Sequence, residues 1–297
     1  MQVRPLRTAL ARGAVALAGV TLLAACTAGA IVAAPMSTTR TSTLRHTTFM
    51  AATVKHGSAT SSNWAGYAVT PITGSGVASF SNIFGTWVQP AAGCTSGTAS
   101  YSAFWVGLGG LSGGSGALEQ IGTDANCTSA NTPVCAAWYE LLPAPPVPLK
   151  LAVKPGDTIS AAVTVSGQTV FMRLRNLTRG TVVNKKLRMA TPDLSSAEWI
   201  AEAPSACNGS GRCSPLPLAD FGSVDFLKAA ATGAGHSGLI ADPAWSATAI
   251  SLDGSNAGSF ARRAGSGTTA SAVPTALTTS GSFTVNWQQN PPASLNG

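Results

Sequence analysis

Four glutamates stand in strand-like text where carboxylates are unusual. Glu119 lies in Leu118-Glu-Gln-Ile-Gly-Thr123, Glu140 closes Ala137-Trp-Tyr-Glu140, and Glu198 and Glu202 share Ala197-Glu-Trp-Ile-Ala-Glu202. A carboxyl carried into a half-buried strand costs free energy unless it is paired or protonated, so such positions ask for a chemical reason. Gln120 follows Glu119 directly. Because successive strand side chains alternate faces, only one of this pair can point to any groove.

Other catalytic sets fail on their own residues. A serine or cysteine nucleophile needs a base, and the three histidines are His46, His56 and His236. The first two precede the body of the chain. His236 sits in Gly-Ala-Gly-His-Ser-Gly and reads as a loop residue. There is no HExxH, no His/carboxylate cluster with metal spacing and no phosphate-loop Lys after Gly107-Leu-Gly-Gly110, so neither metal nor cofactor is expected. Asp124, Asp157, Asp193 and Asp253 read as solvated turn formers. Carboxylate chemistry remains.

The elements that must position these groups are short. From Ser61 onward, apolar or alternating runs such as GYAVT, SAFWVGLGG, TISAAVTVSG and TVFMRLRNLT are separated by Gly, Pro, Asn and Ser. This predicts an all-β, antiparallel sandwich or barrel, with a helical turn suggested only at Phe226 to Ala231. No linker divides residues 61–297, which read as one domain, and the 45% hydrophobic content of the whole chain suits a large core.

The net charge of +7 is local. Residues 1–60 hold six basic and no acidic side chains, leaving 12 basic against 11 acidic in the rest. With no basic stripe interleaved with aromatics, no nucleic-acid partner is expected. Residues 1–34 read as a secretory signal: three arginines precede an apolar run from Gly13 to Ala25. Leu23-Ala-Ala-Cys26 also fits a lipobox, which would anchor the protein to the membrane through a lipidated Cys26. The expected location is therefore extracellular, or the outer face of the cell membrane. Residues 35–60, rich in Thr and Ser, read as a linker or short pro-segment. Outside the cytoplasm disulfides form. Cys207 and Cys213 bracket a turn-rich loop and should pair; Cys94 with Cys127 is favoured, with Cys135 the competing partner.

Five motifs in order, Ser62-Asn-Trp-Ala-Gly66, Phe104-Trp-Val-Gly-Leu-Gly-Gly110, Leu118-Glu-Gln-Ile-Gly-Thr123, Ala137-Trp-Tyr-Glu140 and Ala197-Glu-Trp-Ile-Ala-Glu202, resemble the glutamic peptidases, or eqolisins. The resemblance runs from about Ser61 to Phe226 and more loosely to the end. It implies two large antiparallel sheets in a concanavalin-like jelly roll, a concave substrate groove, and hydrolysis of polypeptide substrates in acid. By motif position the catalytic residues would be Gln120 and Glu202, with Glu119 facing away from the groove and Glu198 not the acid. Trp64, Trp105, Trp138 and Glu140 would line or support the site. A carboxylate can take a proton from water and return it, while a carboxamide NH₂ can donate to an oxygen that gains charge. Two departures stand out: the family often has Asp where Gly109 stands and an aromatic where Leu142 stands.

The expected protein is a secreted, monomeric acid endopeptidase without cofactor. The basic segment before Ser61 would cover the groove in the precursor. Two other classes share the pattern in part: a carbohydrate- or peptide-binding sandwich, and a glycosidase using two carboxylates such as Glu140 and Glu202.

Overall fold

A computed structural model describes residues 43–47, 51–55, 57–95, 97–111, 115–208, 211–254 and 270–289. The signal segment, the lipobox with Cys26, and His56 lie outside these residues. All described residues fall in one unit, Arg40–Gly297.

Strands form where the side chains alternate. In Thr169–Asn176, Val170, Met172, Leu174 and Asn176 are buried while Phe171, Arg173 and Arg175 are exposed, the period of two that a sheet with one wet face requires. No helix occurs among the described residues. In chain order the strands are β1 Thr43–Arg45, β2 Ala51–Lys55, β3 Ser58–Ser61, β4 Trp64–Pro71, β5 Asn82–Val88, β6 Ala103–Leu108, β7 Leu118–Cys127, β8 Pro133–Leu142, β9 Val147–Leu149 and β10 Thr158–Ser166. Then follow β11 Thr169–Asn176, β12 Thr181–Arg188, β13 Ala197–Glu202, β14 Ser205–Cys207, β15 Cys213–Pro215, β16 Ser223–Gly233, β17 His236–Leu239, β18 Trp245–Asp253, β19 Ala270–Pro274 and β20 Phe283–Gln289.

Pairing sorts most of them into two antiparallel layers. The first runs β18-β4-β13-β6-β7-β8-β9 and the second β19-β20-β16-β5-β10-β11-β12, with β18 and β19 joining the layers at one edge. A small third sheet is β1-β14-β15. The expected sandwich of two large sheets is what forms. Within the segment read as a linker or short pro-segment, 35–60, β3 pairs parallel to β18 and β2 pairs with β3. The Thr/Ser-rich text there has enough β-branched residues to extend a sheet edge.

Phe226 to Ala231 is not helical. It lies in β16, whose register against β5 slips between Leu227 and Ala230, with Lys228 at φ 53°. A β-bulge throws two neighbours to one side and so imitates a helical turn in the sequence.

The faces of the first layer have different tasks. One packs on the second layer through Phe104, Val106, Leu108, Ile121 and Trp199, against Trp87, Ile159, Val163 and Phe226. Each such large side chain contributes roughly 1.5–3 kcal/mol on burial. The other face gathers Trp64, Trp105, Leu118, Trp138, Leu142 and Ile200 in a separate cluster. The glutamate and glutamine motifs project among these.

Candidate active site

Strand register lays this second face out in rows. Glu202 aligns with Ala103, which aligns with Asp124; Ile200 aligns with Trp105, Gly122 and Trp138; Glu198 aligns with Gly107, Gln120 and Glu140. Trp64 stands opposite Glu202 on β4. Gln120, Glu140, Glu202, Trp64, Trp105 and Trp138 therefore share one face. Glu119 leaves from the other side of β7.

Four residues separate the Gln120 row from the Glu202 row, about 13 Å along a strand. Side chains close much of that gap. The Trp105 indole Nε1 donates to Glu202 Oε2 at 2.8 Å. Gln120 Nε2 donates to Glu140 Oε2 at 3.2 Å, leaving Gln120 Oε1 buried without a hydrogen-bond partner. Trp105 can cross the middle row because position 122 is glycine: a Cβ there would fall 2.6 Å from the Trp105 Cβ and 2.3 Å from the Phe104 carbonyl oxygen. The Trp64 and Trp105 rings meet edge to face, with centroids 5.0 Å apart.

A backbone bridges the two ends. His46 N–H donates to Glu140 Oε2 at 3.2 Å, and the next amide, Thr47 N–H, donates to Glu202 Oε1 at 3.0 Å. Consecutive amide nitrogens thus hold the two carboxyls within about 10 Å of each other. The His46 ring stacks on Trp138, with centroids 3.6 Å apart and planes 5° from parallel, and its Nδ1 lies 3.5 Å from Glu202 Oε2. Segment 43–47 lies across the candidate site, anchored by β1 on β14 and by Arg45 Nη1 donating to the Pro143 carbonyl at 2.9 Å. Beside it remains a cavity of about 530 Å³ lined by Arg45, Thr47, Leu142, Pro143, Cys207 and Cys213.

Burial dominates the electrostatics. It pushes Glu202 well above the usual carboxylate range, against the hydrogen bonds from Thr47 and Trp105 that favour its charged form. Burial, then repulsion from Glu202, raises Glu140 to about 9. Asp124 is raised to about 6 by burial, and His46 is lowered to about 4 by the same cause, so the imidazole is neutral at neutral pH.

Several residues escaped the sequence reading. Asp124 is no solvated turn former: it is buried in β7 and accepts from Trp138 Nε1 at 2.7 Å. Its signal was present, since Gln120, Gly122 and Asp124 alternate onto one face. Asp157 and Asp193 are buried as well, the first held by Arg179 Nε at 2.7 Å. The sequence reading laid the segment before Ser61 over the groove and put Asn63 in a motif, but it did not single out His46, Thr47 or Asn63 as the residues that meet there. His236 starts β17, beside Asp242 Oδ1 at 3.0 Å, away from this face.

The departure at Gly109 has a local compensation. Its φ is +84°, and a Cβ there would lie 2.4 Å from the Cβ of Asp193. Asp193 therefore fills the space a side chain at 109 would take. Its Oδ2 accepts from Gly110 N at 3.3 Å and Ser115 Oγ at 2.7 Å, and its N–H donates to Glu119 Oε1 at 3.2 Å. Glu198 is buried, with neither carboxyl oxygen in a regular hydrogen bond and its pKa driven well up by burial.

The fold and site are thus a β-sandwich whose tryptophan-rich face holds a buried carboxamide and several buried carboxyls. The comparisons fix the family. A sequence profile of the Peptidase A4 family matches residues 62–273, so the chain belongs to that family, the glutamic peptidases, and is a peptidase. Among solved structures it resembles scytalido-glutamic peptidase with a transition-state analog inhibitor, at 24% identity and a TM-score of 0.58, over 76% of this chain and 98% of that one. It also resembles aspergilloglutamic peptidase from Aspergillus niger, at 24% identity and a TM-score of 0.50, over 64% of this chain and 99% of that one. A search among curated proteins finds no match.

Proposed function

We propose that this peptidase is a secreted acid endopeptidase that hydrolyses peptide bonds with Gln120 and Glu202. Glu202 takes a proton from water as it attacks the scissile carbonyl, then returns the proton to the leaving amine. Gln120 donates from its NH₂ to the oxygen that becomes negative and orients the water through Oε1. Trp105 holds the Glu202 carboxyl in place, and Glu140 holds the Gln120 amide.

The observation that carries this reading is the pair of consecutive backbone amides on Glu140, the partner of Gln120, and on Glu202. A peptide can be gripped between the two groups. Peptide backbone in that position favours a polypeptide substrate over a sugar. Burial of Glu202 favours its protonated form, which suits delivery of a proton to the leaving amine.

The test is digestion of an acid-denatured protein between pH 2 and 7. Glu202→Gln should abolish turnover, and Gln120→Ala should lower kcat by about 10²–10³, the usual cost of one oxyanion donor. Retained turnover in Gln120→Ala, together with complete loss in Glu140→Gln, would favour a carboxylate pair instead. Secretion is checked by recovering the protein outside the producing cell.

A further inference from the structure

The outer face of the second layer is strongly basic along β11 and β12. Six of the twelve basic side chains beyond residue 60 fall between Arg173 and Arg188, and no Asp or Glu stands between Asp157 and Asp193. Two of the six are engaged elsewhere. Arg179 Nε donates to Asp157, and Lys185 leaves from the other side of β12, its Nζ 5.9 Å from the centre of the Tyr139 ring. The remaining four are exposed, and none forms an ion pair among the described residues. β11 turns Val170, Met172 and Leu174 into the core, so Arg173 and Arg175 point outward. Across the hairpin Phe171 aligns with Lys186, Arg173 with Asn184, Arg175 with Val182 and Thr169 with Arg188. Successive rows lie about 7 Å apart, so the four cations cover a strip roughly 20 Å long.

Apolar groups share this hairpin. Phe171, Leu177 and Val182 are 41%, 43% and 46% exposed, three of the nine exposed large apolar side chains among the described residues. Cations beside apolar side chains suit the surface of an anionic bilayer, where the charges meet headgroups and the apolar groups enter the acyl boundary. A single exposed aromatic cannot stack a row of bases, and Val182 and Leu177 stack none, which disfavours single-stranded nucleic acid. The tryptophan-rich face belongs to the other layer and points the opposite way, so contact here leaves the candidate active site open. We infer that the outer face of β11–β12 docks the protein on an anionic phospholipid surface, through Arg173, Arg175, Lys186 and Arg188, with Phe171 and Val182 at the boundary. Docking of this kind does not depend on which residues catalyse.

The test is sedimentation of the full chain with vesicles of phosphatidylcholine alone or mixed equally with phosphatidylglycerol, using Cys26→Ser throughout so that no covalent lipid contributes. Binding should favour the mixed vesicles at about 0.1 M salt and weaken steeply toward about 0.5 M. Replacing the four cations by glutamine should weaken binding to the mixed vesicles about fivefold per cation, on the order of 10²–10³-fold together. Melting and digestion of added polypeptide should stay as in the parent. Both chains carry the same leader arginines, so the difference between them reads this face alone. Phe171→Ala combined with Val182→Ala should cost about tenfold, as apolar area is lost from the boundary. Equal binding of parent and four-glutamine chain to the mixed vesicles overturns the inference. Undiminished binding by the Phe171→Ala, Val182→Ala chain also overturns it, because the face would then hold charge only. Release from the mixed vesicles by a single-stranded oligonucleotide present at far lower concentration than the lipid assigns the face to nucleic acid and overturns it too.

Discussion

After burial and the Thr47 amide, Trp105 is the side chain that most affects the acidity of Glu202. Its indole N–H stabilises the carboxylate over the acid, so replacing it by phenylalanine should raise the Glu202 pKa further. The acid limb of the pH–rate profile should then move to higher pH, with kcat/KM down roughly 10- to 100-fold, as for a lost hydrogen bond to a charged group. A profile that keeps its acid limb would deny Trp105 that role. At Gly109 the expected effect is on stability. Gly109→Asp should cost about 1–3 kcal/mol, because a side chain at positive φ is strained and meets Asp193. In a double-mutant cycle by urea unfolding, Asp193→Ala should recover part of that loss, so the combined cost is less than the sum. Alternation alone could place Gln120 and Glu140 on one face. It could not show that Asp193, eighty-four positions downstream, would occupy the site of a missing side chain, since that depends on a loop crossing no local pattern encodes.

Among the elements, the alternating runs read correctly as strands, and β11 is the plainest example. What stayed illegible was order. β13 lies between β4 and β6, and β16 between β5 and β20, pairings set by burying two apolar faces together rather than by anything local. The edges explain some otherwise idle charge. β12 ends the second layer with Lys185, Lys186 and Arg188, and cations on an outer strand discourage pairing with another chain. On its exposed side, Lys186 Nζ sits 5.6 Å from the centre of the Phe171 ring, so the β11–β12 surface does mix cations with an aromatic, contrary to the sequence reading. The disulfides are Cys94–Cys127 and Cys207–Cys213, with Cys135 free. The first ties the end of β7, the strand of Gln120, to a segment 33 residues earlier. Changing both of its cysteines to serine should lower stability by about 3 kcal/mol, read as a lower urea midpoint with a steeper slope because the unfolded chain is less constrained.

For the molecule as a whole, buried acids set the pH range in which it lasts. Glu119 is raised to about 8 and Glu198 well above its ordinary value, both mainly by burial, while an unfolded chain would titrate them near 4.5. The folded state therefore binds protons that the unfolded state releases. The Glu119 contribution is whole below about pH 4.5 and is lost as pH rises through 8, at about 1.4 kcal/mol per unit, and Glu198 acts in the same direction. Asp157 and Asp193, held low by hydrogen bonds that outweigh their burial, act the other way and weaken the fold only in stronger acid. Thermal melting should accordingly peak in moderate acid and fall by several degrees toward pH 8.5. A midpoint that rises steadily to pH 8.5 would show that Glu119 and Glu198 ionise without cost.

The segment over the site is extended from Thr43 to Arg45 along β14 and stays bound through Thr47. Any foreign polypeptide accepted in the same way must present about five residues free of their own helices and sheets. Native globular proteins offer such a stretch only while locally open, so their rate of digestion should follow their own unfolding equilibrium.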